Sequence, residues 1–561
     1  MHLRPQTAPE CRHSPSAVIL SATDQTMVHG GSASAEVEML GARNVFHEWW
    51  FWICSSTVLM LKFLVVPMYH STDFEVHRNW MAITYNLPIN EWYYESTSEW
   101  TLDYPPLFAF FEFLLSQIAK VVVPSALSIQ KEPFISPELL YFHRFSVIAC
   151  DVLYIISCGF LTNTLQLVRI CGDKSRRCAM GGCILLLANI SLILVDNIHF
   201  QYNGILTAIL LFSINFAIRG QFLLAAFLYC LLLNMKHIYA YYATAYFIFY
   251  LCEYIFISVD RFIIIRTIKL AIAMWIPFIL SFGPFLYVGG GKMFAQILSR
   301  LFPFQRGLTH AYWAPNIWSL YNLVDLILYR ILKVLGRLPS GTQPPQYTSG
   351  LVQEYSHCIL PSVGALTALG VTLVLLSPMI AALFMKHQRN CILLLTHSAF
   401  AFFLAGYHVH EKAILLVTVP YTILSATDHL FLSSFVVLSA IANVSLFPLF
   451  FSPFENMIKV SLTLCYHFLS ECIVKFICME NSSKNCWQKF YLYGVFFIQF
   501  YCLILHRVLF GSRFEYLPLM LTSVSTAVGI VVIFVELLVK GYSKELSYCR
   551  CQRSKEKLKV S

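Results

Sequence analysis

Residues 69–80, YHSTDFEVHRNW, set two carboxylates, Asp73 and Glu75, two positions apart and follow them with His77 and Arg78. A carboxylate at a wet surface can serve as general base toward a hydroxyl. Imidazoles and basic groups can stabilise an anionic leaving group such as a phosphate. Similar mixtures recur in DNIHFQYN (196–203), with Asp196, His199 and Gln201, and in NMKHIY (234–239), with His237. They recur again in SRLFPFQRGLTHAYWAPN (299–316), with Arg306 and Trp313, and in HVHEK (408–412), with His410 and Lys412. Spacing alone does not choose between Asp73 and Glu75 as the base. Other chemistries lack their motifs: no GxxxxGK[ST], HExxH, GxSxG or DxD occurs. Nucleotide hydrolysis, zinc proteolysis and metal-chelating nucleotide-sugar transfer therefore have no support, and no metal or other cofactor is expected.

The elements that must position these groups are set by the solvent. Of 561 residues, 58% are hydrophobic and 12% charged, against roughly 25% charged in a soluble protein. Apolar runs recur along most of the chain, and in lipid each can satisfy its backbone only as a helix. The reading is an all-α polytopic membrane protein with about fourteen spans, the first at 49–68 and the last at 516–539. With a cytosolic N-terminus, the basic groups Arg169, Lys174, Arg176, Arg177, Arg261, Arg266, Lys269, Lys386 and Arg389 all fall on the cytosolic side. The polar runs all fall on the opposite face, which favours one shared site over scattered helix caps.

The stretch PPLFAFFEFLLSQIAKVVV (105–123) carries Glu112, Gln117 and Lys120 and is read as a helix lying in the interface. The first non-cytosolic loop then runs from Tyr69 to about His143, far beyond the usual roughly 4–6 residues. Residues 1–48 read as a disordered cytosolic tail, 49–540 as the membrane unit and 541–561 as a basic cytosolic tail. In that tail Lys557 and Lys559 suit either a dilysine retrieval signal or a simple stop for the last helix. The 18 cysteines are scattered through apolar runs and read as small buried residues. The sequon Asn481-Ser482-Ser483 falls in a cytosolic loop, where it stays unmodified, and 338–350 reads as a luminal linker.

The runs YHSTDFEVHRNW, LPINEWYYESTSEWTLDYPP, LVDNIHFQYNG, NMKHIYAYYA, SRLFPFQRGLTHAYWAPN and YHVHEKAILL resemble those of the endoplasmic reticulum glucosyltransferases that use dolichyl phosphate glucose to build the lipid-linked oligosaccharide. The resemblance covers about 49–450. The motif STDFEVHRNWMAIT resembles the branch that adds the second glucose, since the branch adding the first typically has a Gly-Asp-Tyr-Glu-Ala version. The resemblance implies a GT-C fold with a long first luminal loop that carries the catalytic aspartate. It also implies a dolichyl phosphate glucose donor, a dolichyl-pyrophosphate-linked oligosaccharide acceptor and an α-1,3 linkage made by inversion, with no nucleic-acid partner. On that basis Asp73 is the expected base, and His410, Lys412, Arg306 and His237 are expected at the donor phosphate. Glu75, His77, Arg78, Asp196, His199, Gln201, Trp100 and Trp313 then support the site or the acceptor.

Several readings stay open. Trp100, Tyr104, Trp313 and Trp318 suit sugar stacking or an interfacial aromatic belt. Asp196, His199 and Gln201 suit an acceptor pocket or a helix cap, and Asp103 suits a turn. A lipid or sugar transporter is the rival from another class, but it calls for ionisable groups near the midplane on broken helices and for repeated halves. An oligosaccharyltransferase subunit requires Trp-Trp-Asp, whereas Trp49 and Trp50 precede Phe51.

Overall fold

The computed structural model describes residues 44–168, 175–258, 260–302, 307–310, 312–347, 355–380, 391–450, 452–478 and 486–560, with side chains described as far as 543. Among these the chain is helical, and the sole β feature is an isolated parallel bridge between Thr309 and Val409. The helices of eight or more residues used below are α1 (Trp49–Leu64), α2 (Asp73–Asn86), α3 (Pro106–Val122), α4 (Pro137–Leu167), α5 (Ser175–Leu187), α6 (Asn203–Ile218), α7 (Phe222–Met235), α8 (Ala243–Tyr250) and α9 (Ile263–Leu301). They continue as α10 (Ile317–Val334), α11 (Ala365–Leu376), α12 (Cys391–Ala405), α13 (Ile414–Thr427), α14 (Leu432–Ser445), α15 (Pro453–Cys478), α16 (Cys486–Phe500) and α17 (Leu517–Val560).

Seven segments are long and apolar enough to cross a bilayer: Pro137–Leu167, Ser175–Phe200, Ile263–Leu301, His429–Leu449, Pro453–Cys478, Cys486–Phe510 and Leu517–Ser543. The chain is thus a polytopic membrane protein. Other expected spans are apolar helices of 10–17 residues, such as α1, α6, α7 and α12, short of the roughly 20 residues a perpendicular span needs. The span expected at 238–258 is broken into a 3-10 turn (His237–Tyr242), α8 and a π turn (Leu251–Ile255). The span expected at 268–288 is longer than its apolar run, because α9 continues to Leu301 through a kink at Gly290 (φ 57°, ψ −154°). That conformation is open to glycine and costly for other residues.

Local sequence explains the elements around the long first loop. Ser136 caps α4 by accepting from the Leu139 N–H, with Pro137 at the first helical position. α3 also has a proline, Pro106, at its first helical position, without a side-chain cap, and is strongly amphipathic. It buries Phe108, Glu112, Leu115 and Ala119 at helical spacing and leaves Leu114, Ile118 and Val121 exposed. α3 packs along α2, and α4, α6, α7 and α9 pack in succession. The loop between α2 and α3 is tied down by side-chain to backbone bonds. Asn79 donates to the Trp100 carbonyl at 3.0 Å and the Trp80 indole to Thr101 at 3.1 Å. The Tyr93 hydroxyl donates to the Tyr104 carbonyl at 2.6 Å, and Gln296 and Arg300 of α9 donate to the Tyr93 carbonyl. The loop is therefore an ordered wall.

Arg306, Arg169, Lys174, Lys386, Arg389, the sequon at 481–483 and residues 1–43 lie outside the described residues, as do the Lys557 and Lys559 side chains.

Candidate active site

Three chain segments meet at the N-terminus of α2. The first is α2 itself, whose opening residue is Asp73. The second is the junction between the π turn Ile193–Phe200 and α6, where Phe200 takes φ 90° and Gln201 is extended. Single π turns and positive-φ residues of this kind cost energy and recur at functional sites. The third is the 3-10 turn Glu411–Ala413, capped by His410. Arg144, fully buried on α4, ties the first two together by donating to the carbonyls of Asn197 (2.7 Å), Ile198 (2.9 Å) and Tyr69 (2.8 Å). Ser71 adds a backbone and a hydroxyl bond to the His199 carbonyl at 2.9 and 2.7 Å.

Asp73 Oδ2 accepts from Lys412 Nζ and from Gln201 Nε2, both at 2.7 Å, and lies 3.5 Å from His199 Nε2. Lys412 also donates to His199 Nε2 at 3.1 Å, so that nitrogen is an acceptor. The Asp73 side chain keeps 23% of its surface open to the cavity. Burial opposes its ionisation, but the Lys412 charge overcomes this and holds the carboxyl well below its usual range. Asp73 is a carboxylate at neutral pH.

Glu75 is bound quite differently. Arg78 grips it with Nε at 2.8 and 3.0 Å and Nη2 at 2.6 Å, and the Phe134 N–H donates to it at 3.1 Å. Arg78 in turn donates to the carbonyls of Ala126 and Ser128. Both residues are buried and neither lines the cavity. His77 lines the cavity with its ring, while its Nδ1 pairs with buried Glu112 at 2.6 Å.

The cavity in front of Asp73 has a volume of about 850 Å³. Each of the polar runs singled out in the sequence contributes to its wall: Asp73, His199 with Gln201, Lys236 with His237, Arg300 with His310, and His410 with Lys412. Trp100, Asp103 and Tyr104 complete the polar part, and Leu210, Leu415, Leu416, Val419 and Leu449 form an apolar part. Trp313 and Trp318, candidates for sugar stacking, do not line it. Their indoles donate to the Tyr347 and Gly406 carbonyls at 3.0 and 2.9 Å in the packing behind. Asp196 also sits behind the wall, accepting from Asn203 Nδ2 at 2.8 Å and the Gly204 N–H at 2.6 Å.

Sequence reasoning passed over several residues. Lys236, beside the singled-out His237, donates to Asn203 Oδ1 at 3.0 Å and lies 5.1 Å over the Tyr104 ring. Burial and then the Lys412 charge bring its ammonium down to about 8. Its signal was the polar residue at the end of the apolar run FLLAAFLYCLLLNM. The buried ion pair Lys62–Asp151 (2.7 Å), also missed, was hidden as single charges inside apolar stretches. Among the described residues His310, His410 and Glu411 each offer a ligand atom within 4.8 Å of the others, an arrangement that could hold a metal ion. The Lys412 N–H approaches His410 Nδ1 at 3.3 Å, and Glu411 Oε1 lies 3.1 Å from the same nitrogen. Burial, then His310 and Lys412, hold His410 well below the usual imidazole range.

The arrangement provides an ionised carboxylate, two ammonium groups and several imidazoles around a cavity that has an apolar arm. It suits attack by a hydroxyl with departure of an anion carried on a lipid. Residues 58–537 match the model of the ALG6, ALG8 glycosyltransferase family. A Caenorhabditis elegans protein named dolichyl pyrophosphate Glc1Man9GlcNAc2 alpha-1,3-glucosyltransferase is 44% identical over 489 residues, 84% of this chain and 63% of the nematode one. The chain thus spans somewhat under two thirds of that relative. Proteins of the same name from Mus musculus and Bos taurus are 40% and 39% identical, over 87% of this chain and 95% of each of theirs. The chain belongs to the ALG6, ALG8 glycosyltransferase family.

Proposed function

We propose that this protein transfers glucose from dolichyl phosphate glucose to the Glc1Man9GlcNAc2 oligosaccharide on dolichyl pyrophosphate, adding the second glucose through an α-1,3 linkage. The names of the relatives support the acceptor and the linkage. The observation that carries the reading is Asp73, ionised and held by Lys412 and Gln201 at the head of a cavity with both a polar and an apolar arm.

In the reaction, Asp73 accepts the proton of the 3-hydroxyl on the terminal glucose. The hydroxyl oxygen forms its bond to the anomeric carbon of the donor glucose as the bond from that carbon to the phosphate oxygen breaks. The electron pair leaves on dolichyl phosphate, and the β-linked donor becomes an α-linked product by inversion. Lys412 and His410 stabilise the departing charge as preorganised groups, with His237 and Lys236 further along the wall. The apolar arm accommodates the first isoprene units of the lipid. The architecture fits a GT-C fold of about fourteen spans, in which the shorter apolar helices also cross the bilayer and the cavity opens to the lumen of the endoplasmic reticulum. Analysis of lipid-linked oligosaccharides from cells lacking the protein tests this: the species with one glucose should accumulate. Accumulation of the glucose-free species would assign the first transfer, and an unchanged profile would refute the reading.

A further inference from the structure

Building on Asp73 as the base, we propose that Asn203 is a positioning residue. Clamped between Asp196 and Lys236, it locks the Gln201 carboxamide so that Nε2 donates to Asp73 Oδ2, which reserves Oδ1 as the oxygen that takes the proton.

The two ends of a carboxamide are nearly equal in shape, so its direction is decided by its partners. Asn203 has partners of opposite character at its two ends. Its Nδ2 donates to Asp196 Oδ1 and to Gln201 Oε1, both at 2.8 Å, so both amide hydrogens are engaged. Its Oδ1 accepts from Lys236 Nζ at 3.0 Å. Asp196 is anchored by the Gly204 N–H at 2.6 Å, one of the amides left open at the start of α6. Turning Asn203 over would set its NH₂ against the Lys236 ammonium and leave Gln201 Oε1 without the Asn203 donor. The direction passes on to Gln201: with Oε1 engaged by Asn203 and 3.5 Å from Lys236, Nε2 faces Asp73 at 2.7 Å. An inverted Gln201 would bring an oxygen against the carboxylate and disfavour its ionised form. Oδ2 thereby collects the hydrogen bonds from Gln201 and Lys412. Among the described residues Oδ1 accepts no hydrogen bond, and the Asp73 side chain keeps 23% of its surface open.

The test is a double-mutant cycle in purified full-length protein, with dolichyl phosphate glucose as donor and the lipid-linked Glc1Man9GlcNAc2 acceptor. Asn203→Ala and Gln201→Ala should each lower kcat by about 10- to 100-fold, in line with a lost hydrogen bond to a charged group. Donor KM should stay within about threefold, because the relay acts on the base. The double variant should be no worse than either single one within about threefold, because Asn203 acts through Gln201.

The acid limb of kcat should move to higher pH in each variant, since the carboxylate has lost a donor. The other titratable groups facing Asp73, namely Lys412, His199, His410, Lys236, Tyr69 and Tyr104, are present in all of them; Asn203→Ala also removes a partner of Lys236 and of Asp196, so a limb that moves in Asn203→Ala but not in Gln201→Ala overturns the proposal. Losses that multiply, or an unmoved acid limb, would overturn the proposal. Should Asn203→Ala fail to accumulate, the nearly isosteric Gln201→Glu decides. A second carboxylate beside Asp73 must raise the acid limb, and an unmoved limb refutes the relay. The underlying reading fails separately, if Asp73→Asn retains full turnover.

Discussion

Asp73 and Glu75 stand two positions apart on one helix and meet opposite electrostatic surroundings. Lys412 and Gln201 approach Asp73 at the cavity, while Arg78 and the Phe134 amide hold Glu75 in the packed interior. The two residues therefore fail in different ways. Glu75→Gln strips a fully buried guanidinium of its partner, which typically costs about 3–5 kcal/mol. It should show as reduced folded yield and a lower Tm, with kcat of the folded fraction near wild type. Asp73→Asn should do the reverse, and thermal unfolding run beside single-turnover assays separates the two. At the leaving group, Lys412→Ala and His410→Ala should each lower turnover more than acceptor affinity, because both meet charge that grows in the transition state. Burial holds the folded His410 below the usual imidazole range and so favours its neutral form. Unaltered kcat in both alanine variants would move the phosphate site elsewhere in the cavity.

At the scale of elements, the site depends on how closely α4 and α6 approach. A Cβ on Gly204 would lie 2.6 Å from Asp151 Oδ1, and Asp151 holds both Lys62 and Asn197. Gly204→Ala should therefore force the Lys62–Asp151 pair and the π turn apart, costing about 1–3 kcal/mol and lowering kcat along with Tm. A stable, fully active variant would show that the helices yield without disturbing the site. Glycine in QYNG was legible as part of a motif, but its reason lies in a partner 53 positions away in the chain. The same limit applied to the carboxylates. Spacing showed that Asp73 and Glu75 belonged to one cluster, and only the fold of 124–134 around Arg78 shows which one is sequestered. Likewise Trp313 looked equal to Trp100 by residue type, and only packing against Tyr347 separates them. Gly290 marked where α9 bends, yet glycine alone does not say whether a helix ends or continues.

Across the whole molecule, alternation of apolar runs and positive charge led to the expectation of one shared site, and residues of each polar run line one cavity. Hydropathy was less informative for the number of crossings, because helices such as α6 and α12 are apolar yet short and mostly buried, and apolar character alone fixes neither length nor burial. If about fourteen segments cross, a tag after Ser561 is cytosolic and one inserted near Gly341 is luminal. Protease accessibility in sealed microsomes checks both, and protection of the C-terminal tag would contradict the count. The most direct test of the central claim is the lipid-linked oligosaccharide profile of cells whose only copy of the protein carries Asp73→Asn, a change that keeps volume but cannot take the proton. General-base contributions are typically about 10²- to 10⁴-fold, so the species with one glucose should accumulate while protein abundance stays near wild type. A normal profile at normal abundance would contradict the assignment of Asp73 as the base.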